Sequence, residues 1–181
     1  MTIRETKLKG CFIIEPKVFE DKRGYFLESY NQNTFNKLIG DNIIFVQDNE
    51  SFSSRGVLRG LHFQRGEHAQ AKLVRVIKGK VLDVAVDVRP KSPTYGQYVS
   101  IELSGENKKQ FFVPRGFAHG FVVLSDTALF SYKCDNFYNK SSEGGVIYTD
   151  SELAVDWVLP NADLIVSEKD LVLPTFENIC L

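Results

Sequence analysis

The sequence predicts an all-β protein, a sandwich or barrel of mostly antiparallel strands. Three observations predict it. Short apolar and β-branched runs recur at near-regular spacing, and Gly, Pro and charged turn residues separate them. A good helix candidate, Thr34–Ile39, is the main interruption. At 181 residues the chain is expected to form a single domain, 1–181, with room for a real core. Hydrophobic residues at 43% and charged residues at 25% are the proportions of a soluble globular chain. A net charge of −1 gives no reason to expect nucleic acid or an anionic membrane as partner. The opening MTIRETKLKG holds no apolar run like a signal peptide, and no stretch is long enough to span a bilayer, so a cytoplasmic location is expected. Cys11, Cys134 and Cys180 are few, odd in number and far apart. They read as reduced thiols, not as a disulfide framework or a zinc site.

Taken in order, strands are expected over Ile3–Leu8 and over Cys11–Glu15, the latter stopped by Pro16. Asp21–Gly24 reads as a turn, and Tyr25–Tyr30 as the next strand. The helix at Thr34–Ile39 has polar residues ahead of it and Gly40 to end it. Phe45–Phe52 follows, with Gln47, Asn49 and Ser51 on one parity. Val57–Phe63 and Ala71–Ile77 then read as a hairpin around a polar turn containing Gly66. In Val81–Val88, the residues Leu82, Val84, Val86 and Val88 share a face; Asp83 and Asp87 take the other, which makes one side core and one side polar. After a Pro-containing loop at Arg89–Tyr95, strands are expected at Tyr98–Leu103, Gln110–Val113, His119–Leu124 and Leu129–Cys134. The tail from Asp150 is less regular and has room for one or two helical turns.

The chemistry centres on the hairpin. Val57–Phe63 carries His62 and Ala71–Ile77 carries Lys72, polar residues that packing alone does not ask for. In a symmetric hairpin they sit directly across from each other. A base facing a fixed positive charge is suited to taking a proton from carbon and holding the resulting oxyanion. An ordinary half-exposed hairpin face is the alternative.

Two further patterns narrow the barrel. Pro114-Arg-Gly-Phe-Ala-His119 fits the P-x-G-x-x-H core of the second cupin motif, and Lys72 to Gly79 has the spacing of the Glu and Gly in the first. The resemblance is to a cupin-type double-stranded β-helix, or jelly roll, with a few short helices. In metal-binding cupins the first motif supplies His-x-His and a Glu as ligands. Here the aligned positions are Gly66, His68 and Lys72. An ammonium replaces the carboxylate and one imidazole is missing, which leaves His68 and His119, too few donors for a transition metal. No metal and no cofactor is expected.

Eight blocks in order extend the resemblance over nearly the whole chain: DKRGYFLESY (21–30), VQDNESFS (46–53), GVLRGLHFQ (56–64), AQAKLVRVIKGKVLDVAVDVR (69–89), FFVPRGFAHGF (111–121), YKCDNFY (132–138), EGG (143–145) and SEKD (167–170). With them the chain closely resembles the dTDP-4-dehydrorhamnose 3,5-epimerase family. Members are homodimeric, metal-free cupins that invert carbons 3 and 5 of a 4-keto-6-deoxy sugar nucleotide on the way to dTDP-L-rhamnose. The resemblance implies that His62 is the base, oriented by Asp170, and that Lys72 stabilises the enolate oxygen. It implies that Tyr132 returns the proton from the opposite face of the ring. From the residues alone, Ser167–Asp170 also reads as a helix-capping box, and Tyr132 as a packed tyrosine at a barrel rim.

The binding residues follow from the same resemblance. Arg23 and Arg59 would meet the diphosphate, where a guanidinium donates two parallel hydrogen bonds. Tyr138 would stack on the thymine, and Glu28, Gln47, Asp48, Asn49, Glu143 and Lys169 would surround nucleotide and sugar. His119 would contact the sugar or polarise its ketone, and Phe26 would form a wall. The strand around Arg23–Glu28 is expected to enter the neighbouring subunit's pocket. Arg59 and His62 are three residues apart, which strict alternation sends to opposite faces. Either a bulge at Gly60 corrects this or Arg59 serves the partner's site. Enzymes inverting only carbon 3 or carbon 5, metal-dependent cupins, and a non-catalytic sugar-nucleotide binder are the competing readings.

Overall fold

Strand limits in the computed structural model, which describes residues 1–181, follow the turn residues closely. The chain runs β1 (Thr2–Glu5), β2 (Phe12–Glu15), β3 (Val18–Asp21), β4 (Gly24–Leu27), α1 (Gln32–Ile39), β5 (Gln47–Ser54), β6 (Val57–Gln64), β7 (Lys72–Lys78) and β8 (Lys80–Asp87). It continues with β9 (Tyr98–Ser104), β10 (Gln110–Val113), β11 (Phe117–Val123), β12 (Thr127–Cys134), β13 (Glu143–Gly145), β14 (Ile165–Val166) and α2 (Glu168–Leu171). The helix α1 forms where expected. Asn31 caps it by accepting from the Thr34 amide at 3.1 Å, and Gly40 ends it at φ 72°, a conformation that costs glycine little. Three early limits differ from expectation. The first strand stops at Glu5, because Thr6–Cys11 close a turn. Val18–Asp21 is an additional strand, and its partner Gly24–Leu27 ends before Tyr30.

Two sheets make the body. One has the order β1-β2-β10-β7-β12-β5, and the other β13-β6-β11-β8-β9 with β14 added beside β6. The β3–β4 hairpin is separate from both. This is a cupin-type jelly roll, with every ladder antiparallel except β14–β6. Val74, Phe111 and Phe130 of the first sheet meet Val81, Leu103 and Val123 of the second in the core between them. Phe35 of α1 covers the outer face of the first sheet against Leu73 and Phe112. Trp157 and Phe176 of the tail cover the outer face of the second against Val84, Val86 and Val122.

This layering corrects two expectations. First, β6 and β7 do not pair as a hairpin. They belong to different sheets, so His62 and Lys72 are not cross-strand neighbours but face one cavity from opposing sheets. Second, the polar parity of β8 is not a solvated face. Leu82, Val84, Val86 and Val88 pack under the tail, while Asp83 and Asp87 point between the sheets with no exposure.

Buried carboxylates need donors, and Asp87 has them in the Arg89 guanidinium (2.7 Å), Ser92 Oγ (2.5 Å) and Thr94 Oγ1 (2.6 Å). Burial alone raises its pKa, but these bonds outweigh burial and bring it from 3.8 to about 2. A depressed folded-state pKa stabilises the fold fully above the unfolded value and is lost as pH falls through the folded one. Asp87 is therefore expected to contribute about 2 kcal/mol at neutral pH, disappearing between about pH 4 and 2. Urea unfolding of wild type and Asp87→Asn across that window checks it: their stabilities should converge at the acid end.

Candidate active site

The two sheets splay around a cavity of about 600 Å³. His62, Arg59 and His119 line it from the second sheet, and Lys72, Tyr132 and Phe130 from the first. Ile165, Ser167, Lys169 and Asp170 close it from the tail. A smaller cleft of about 280 Å³ shares His62, Lys72 and Tyr132 and adds Gln47, Asn49, Tyr138 and Glu143.

Asp170 reaches His62 across 108 residues of sequence, with Oδ1 2.8 Å from Nε2. The imidazole is about a quarter exposed, whereas the carboxylate is buried. Burial pushes the Asp170 pKa up, but the bond and charge of His62, the Gly60 amide and Ser167 outweigh it and hold the carboxyl below its ordinary value. An ionised carboxylate only accepts. His62 Nε2 therefore carries the proton, and Nδ1 keeps a free lone pair. The capping interaction is present as well, since Ser167 Oγ accepts from the Asp170 amide at 3.2 Å. Backbone and side chain of Asp170 thus do different work, and the short helix α2 aims the carboxylate.

A bulge brings Arg59 to the same cavity as His62. His119 pairs with His62 and Phe121 with Arg59, so β6 uses one residue more than β11 between those points. Both side chains then face the same cavity. Gly60 makes this possible at φ 130°, with the Gly120 Cα only 2.6 Å from where a Cβ would lie. Gly60→Ala is expected to lose about 1–3 kcal/mol of stability through backbone strain and overpacking. Thermal unfolding reads that loss.

Across the cavity, burial raises the Tyr132 pKa; the charge of Cys134 adds to the rise and that of Arg59 opposes it. The phenol therefore stays protonated at neutral pH and is available as an acid. The Lys72 Nζ lies 5.8 Å from the Tyr132 ring centroid. Burial lowers the Lys72 pKa, partly offset by Cys134, Asp83 and Glu143. His119 Nε2 lies 2.8 Å from Asp83 Oδ1, so part of its bonding capacity is turned away from the cavity, toward the barrel interior.

At the cleft, the Tyr138 hydroxyl donates to Glu143 at 3.1 Å and Lys169 donates to the same carboxylate at 2.5 Å. Burial raises the Glu143 pKa, but these two partners and the charge of His62 outweigh it. Tyr138 is half exposed, with its ring open for stacking. Gln47 donates to Asn49 at 3.0 Å and accepts from the Tyr138 amide at 3.1 Å, joining β5 to this rim.

Four expected residues are not brought here within one chain. Arg23 sits on the outlying β3–β4 hairpin, bound to Asp21 at 2.5 Å. Phe26 is exposed on the same hairpin, and Glu28 just beyond it accepts from Asn31 at 3.2 Å. Asp48 is on the opposite parity to Gln47 and Asn49 and pairs with Lys133 at 2.9 Å. His68 also stands apart, with Asn139 3.0 Å from its Nε2. Conversely, Ser51, Phe121, Phe130 and Ile165 line the cavity without having been assigned to it. Ser51 shares its parity with Gln47 and Asn49, which was a readable signal.

Residues 5–178 match the family profile described as dTDP-4-dehydrorhamnose 3,5-epimerase. The protein of that name from Salmonella typhimurium is 51% identical over 181 residues, covering 100% of this chain and 98% of its own length. The crystal structure of dTDP-4-dehydrorhamnose 3,5-epimerase from Elizabethkingia anophelis NUHP1 superposes with a TM-score of 0.95 at 63% identity, over 98% of this chain and 97% of that one. The dTDP-6-deoxy-D-glucose-3,5-epimerase of Legionella pneumophila, solved with dTDP-4-keto-L-rhamnose, gives a TM-score of 0.95 at 48% identity, over 99% and 94%. Sequence, jelly roll and cavity agree, and the chain belongs to the dTDP-4-dehydrorhamnose 3,5-epimerase family.

Proposed function

We propose that this chain converts dTDP-4-dehydro-6-deoxy-D-glucose to dTDP-4-dehydro-L-rhamnose by inverting carbons 3 and 5, in dTDP-L-rhamnose biosynthesis. One observation carries the reading: an Asp170-oriented His62 and a protonated Tyr132 enter one cavity from opposing sheets, with Lys72 beside Tyr132. A proton next to a ketone is weakly acidic, so its removal needs a placed base and a stabilised enolate. The His62 Nδ1 lone pair takes the proton, and the Lys72 ammonium faces the oxygen at carbon 4. Tyr132 delivers a proton to the other face, and solvent restores both groups. A base that returned its proton to the same face would regenerate the starting sugar.

Arg59 and the rim of Tyr138, Glu143 and Lys169 are the groups suited to hold the nucleoside diphosphate, a guanidinium and an ammonium for phosphate and a tyrosine for the base. Phe19, Tyr25 and Phe26 are 52%, 55% and 69% exposed on the β3–β4 hairpin. Such an aromatic arm, tipped by Arg23, supports a homodimer in which each hairpin supplies Arg23, Phe26 and Glu28 to the partner's cavity. We take the chain to be a single domain acting in the cytoplasm. No helix is long and apolar enough to cross a membrane.

The test is incubation with dTDP-4-keto-6-deoxyglucose in deuterated water, followed at carbons 3 and 5 by NMR. Deuterium and inversion are expected at both carbons. Inversion at one carbon only would make the chain a monofunctional epimerase, and no exchange at either would leave a binder.

A further inference from the structure

We propose that Ser53 is a positioning residue for Arg59: its buried hydroxyl holds one edge of the guanidinium and leaves the other open to a diphosphate in the cavity. Ser53 is 5% exposed and shares the parity of Gln47, Asn49 and Ser51 on β5. Its Oγ lies 3.3 Å from Arg59 Nε and 3.3 Å from Arg59 Nη2, and accepts from both. The contact ties β5 of the first sheet to β6 of the second, across the turn at Arg55 and Gly56.

A guanidinium can present two edges to an oxyanion, the side edge of Nε and Nη2 or the end edge of Nη1 and Nη2. Ser53 occupies the side edge, so the end edge is what a ligand meets. No carboxylate competes for it. Asp170, in the same cavity, is bonded to His62 and to the Gly60 amide, and Glu50 forms no ion pair with Arg59. A free arginine side chain has many rotamers, and fixing one before the ligand arrives removes part of the ordering cost of binding. A second observation points to a ligand oxygen at this place. Ser51 Oγ, two residues earlier on the same face of β5, is buried at the cavity wall without a hydrogen-bond partner. A buried hydroxyl left unpaired is costly, and a phosphate oxygen would satisfy it.

That the ligand is a nucleoside diphosphate rests on the epimerase reading above. The hold on Arg59 can be measured in the free protein, and dTDP binding needs no turnover, so the two fail separately. The experiment pairs NMR of the Arg59 Nε–H with calorimetric titration of dTDP. The Nε–H of wild type is expected to be protected from solvent exchange, and Ser53→Ala should lose most of that protection. The same variant should bind dTDP about 3–10-fold more weakly, the range for one hydrogen bond. KM should rise by the same factor while kcat holds, the pattern of lost uniform binding. Arg59→Ala should weaken dTDP binding by itself, and adding Ser53→Ala to it should cost nothing more, because Ser53 acts through the guanidinium. Should Ser53→Ala not fold, Ser53→Cys, nearly isosteric but a weak acceptor, reads the same quantities. An Nε–H that exchanges equally fast in wild type and variant, an unchanged dTDP affinity, or an equal further loss in the Arg59→Ala background overturns the proposal.

Discussion

His62→Ala is expected to lower proton exchange at both carbons by about 10²–10⁴, the range for loss of a general base. Both His62 and His119 line the cavity with a carboxylate on Nε2, but the His62 side chain is 27% exposed and that of His119 is 7% exposed, so His62 is the more accessible of the two imidazoles. Truncation also leaves Asp170 with one partner fewer, although the Gly60 amide still bonds its Oδ2 at 3.2 Å. The fold should therefore survive, and dTDP should still bind through Arg59 and the Tyr138 rim. Deuterium uptake at carbons 3 and 5, beside a dTDP titration of the same sample, checks both halves. Wild-type exchange in a folded, dTDP-binding variant would remove His62 from the reaction.

Much of the fold was legible because strand formation is local. Gly40 ends α1, and the alternation of β5 places Gln47, Asn49 and Ser51 on one face. Sheet membership is not local. The connection between β6 and β7 has the length and composition of a hairpin turn, yet the chain crosses from one sheet to the other there. Nothing within those seven-residue runs distinguishes the two outcomes. The same blindness turned Asp83 outward. Alternation separates two faces of a strand but does not say that both are covered, and the tail that covers the second lies over 60 residues downstream.

The site divides in the same way. Arg59 was reconcilable with His62 because a glycine between them permits a bulge, and the register shift is found there. Asp170 was invisible to any local pattern, since its bond to His62 spans 108 positions and its own neighbourhood reads as a helix cap. Only the resemblance of whole blocks joined the two. Arg23, Phe26 and Glu28 carry no within-chain signal for the cavity, as a hairpin that joins the ladder of neither main sheet implies.

In the proposed mechanism proton removal and proton return come from opposing sheets, and Tyr132→Phe separates them. The change removes one oxygen and keeps the ring against Phe130, so binding should shift by no more than about 1.5 kcal/mol. His62 still takes protons from carbon and can return a solvent-derived deuteron to the face it came from. Exchange should therefore continue, while net inversion falls about 10²–10⁴ through loss of the opposite-face acid. The decisive measurement is the ratio of deuterium incorporated to epimer formed, in Tyr132→Phe and in wild type. The expected result is a ratio many-fold higher in the variant; equal losses of exchange and inversion would contradict the two-sheet assignment.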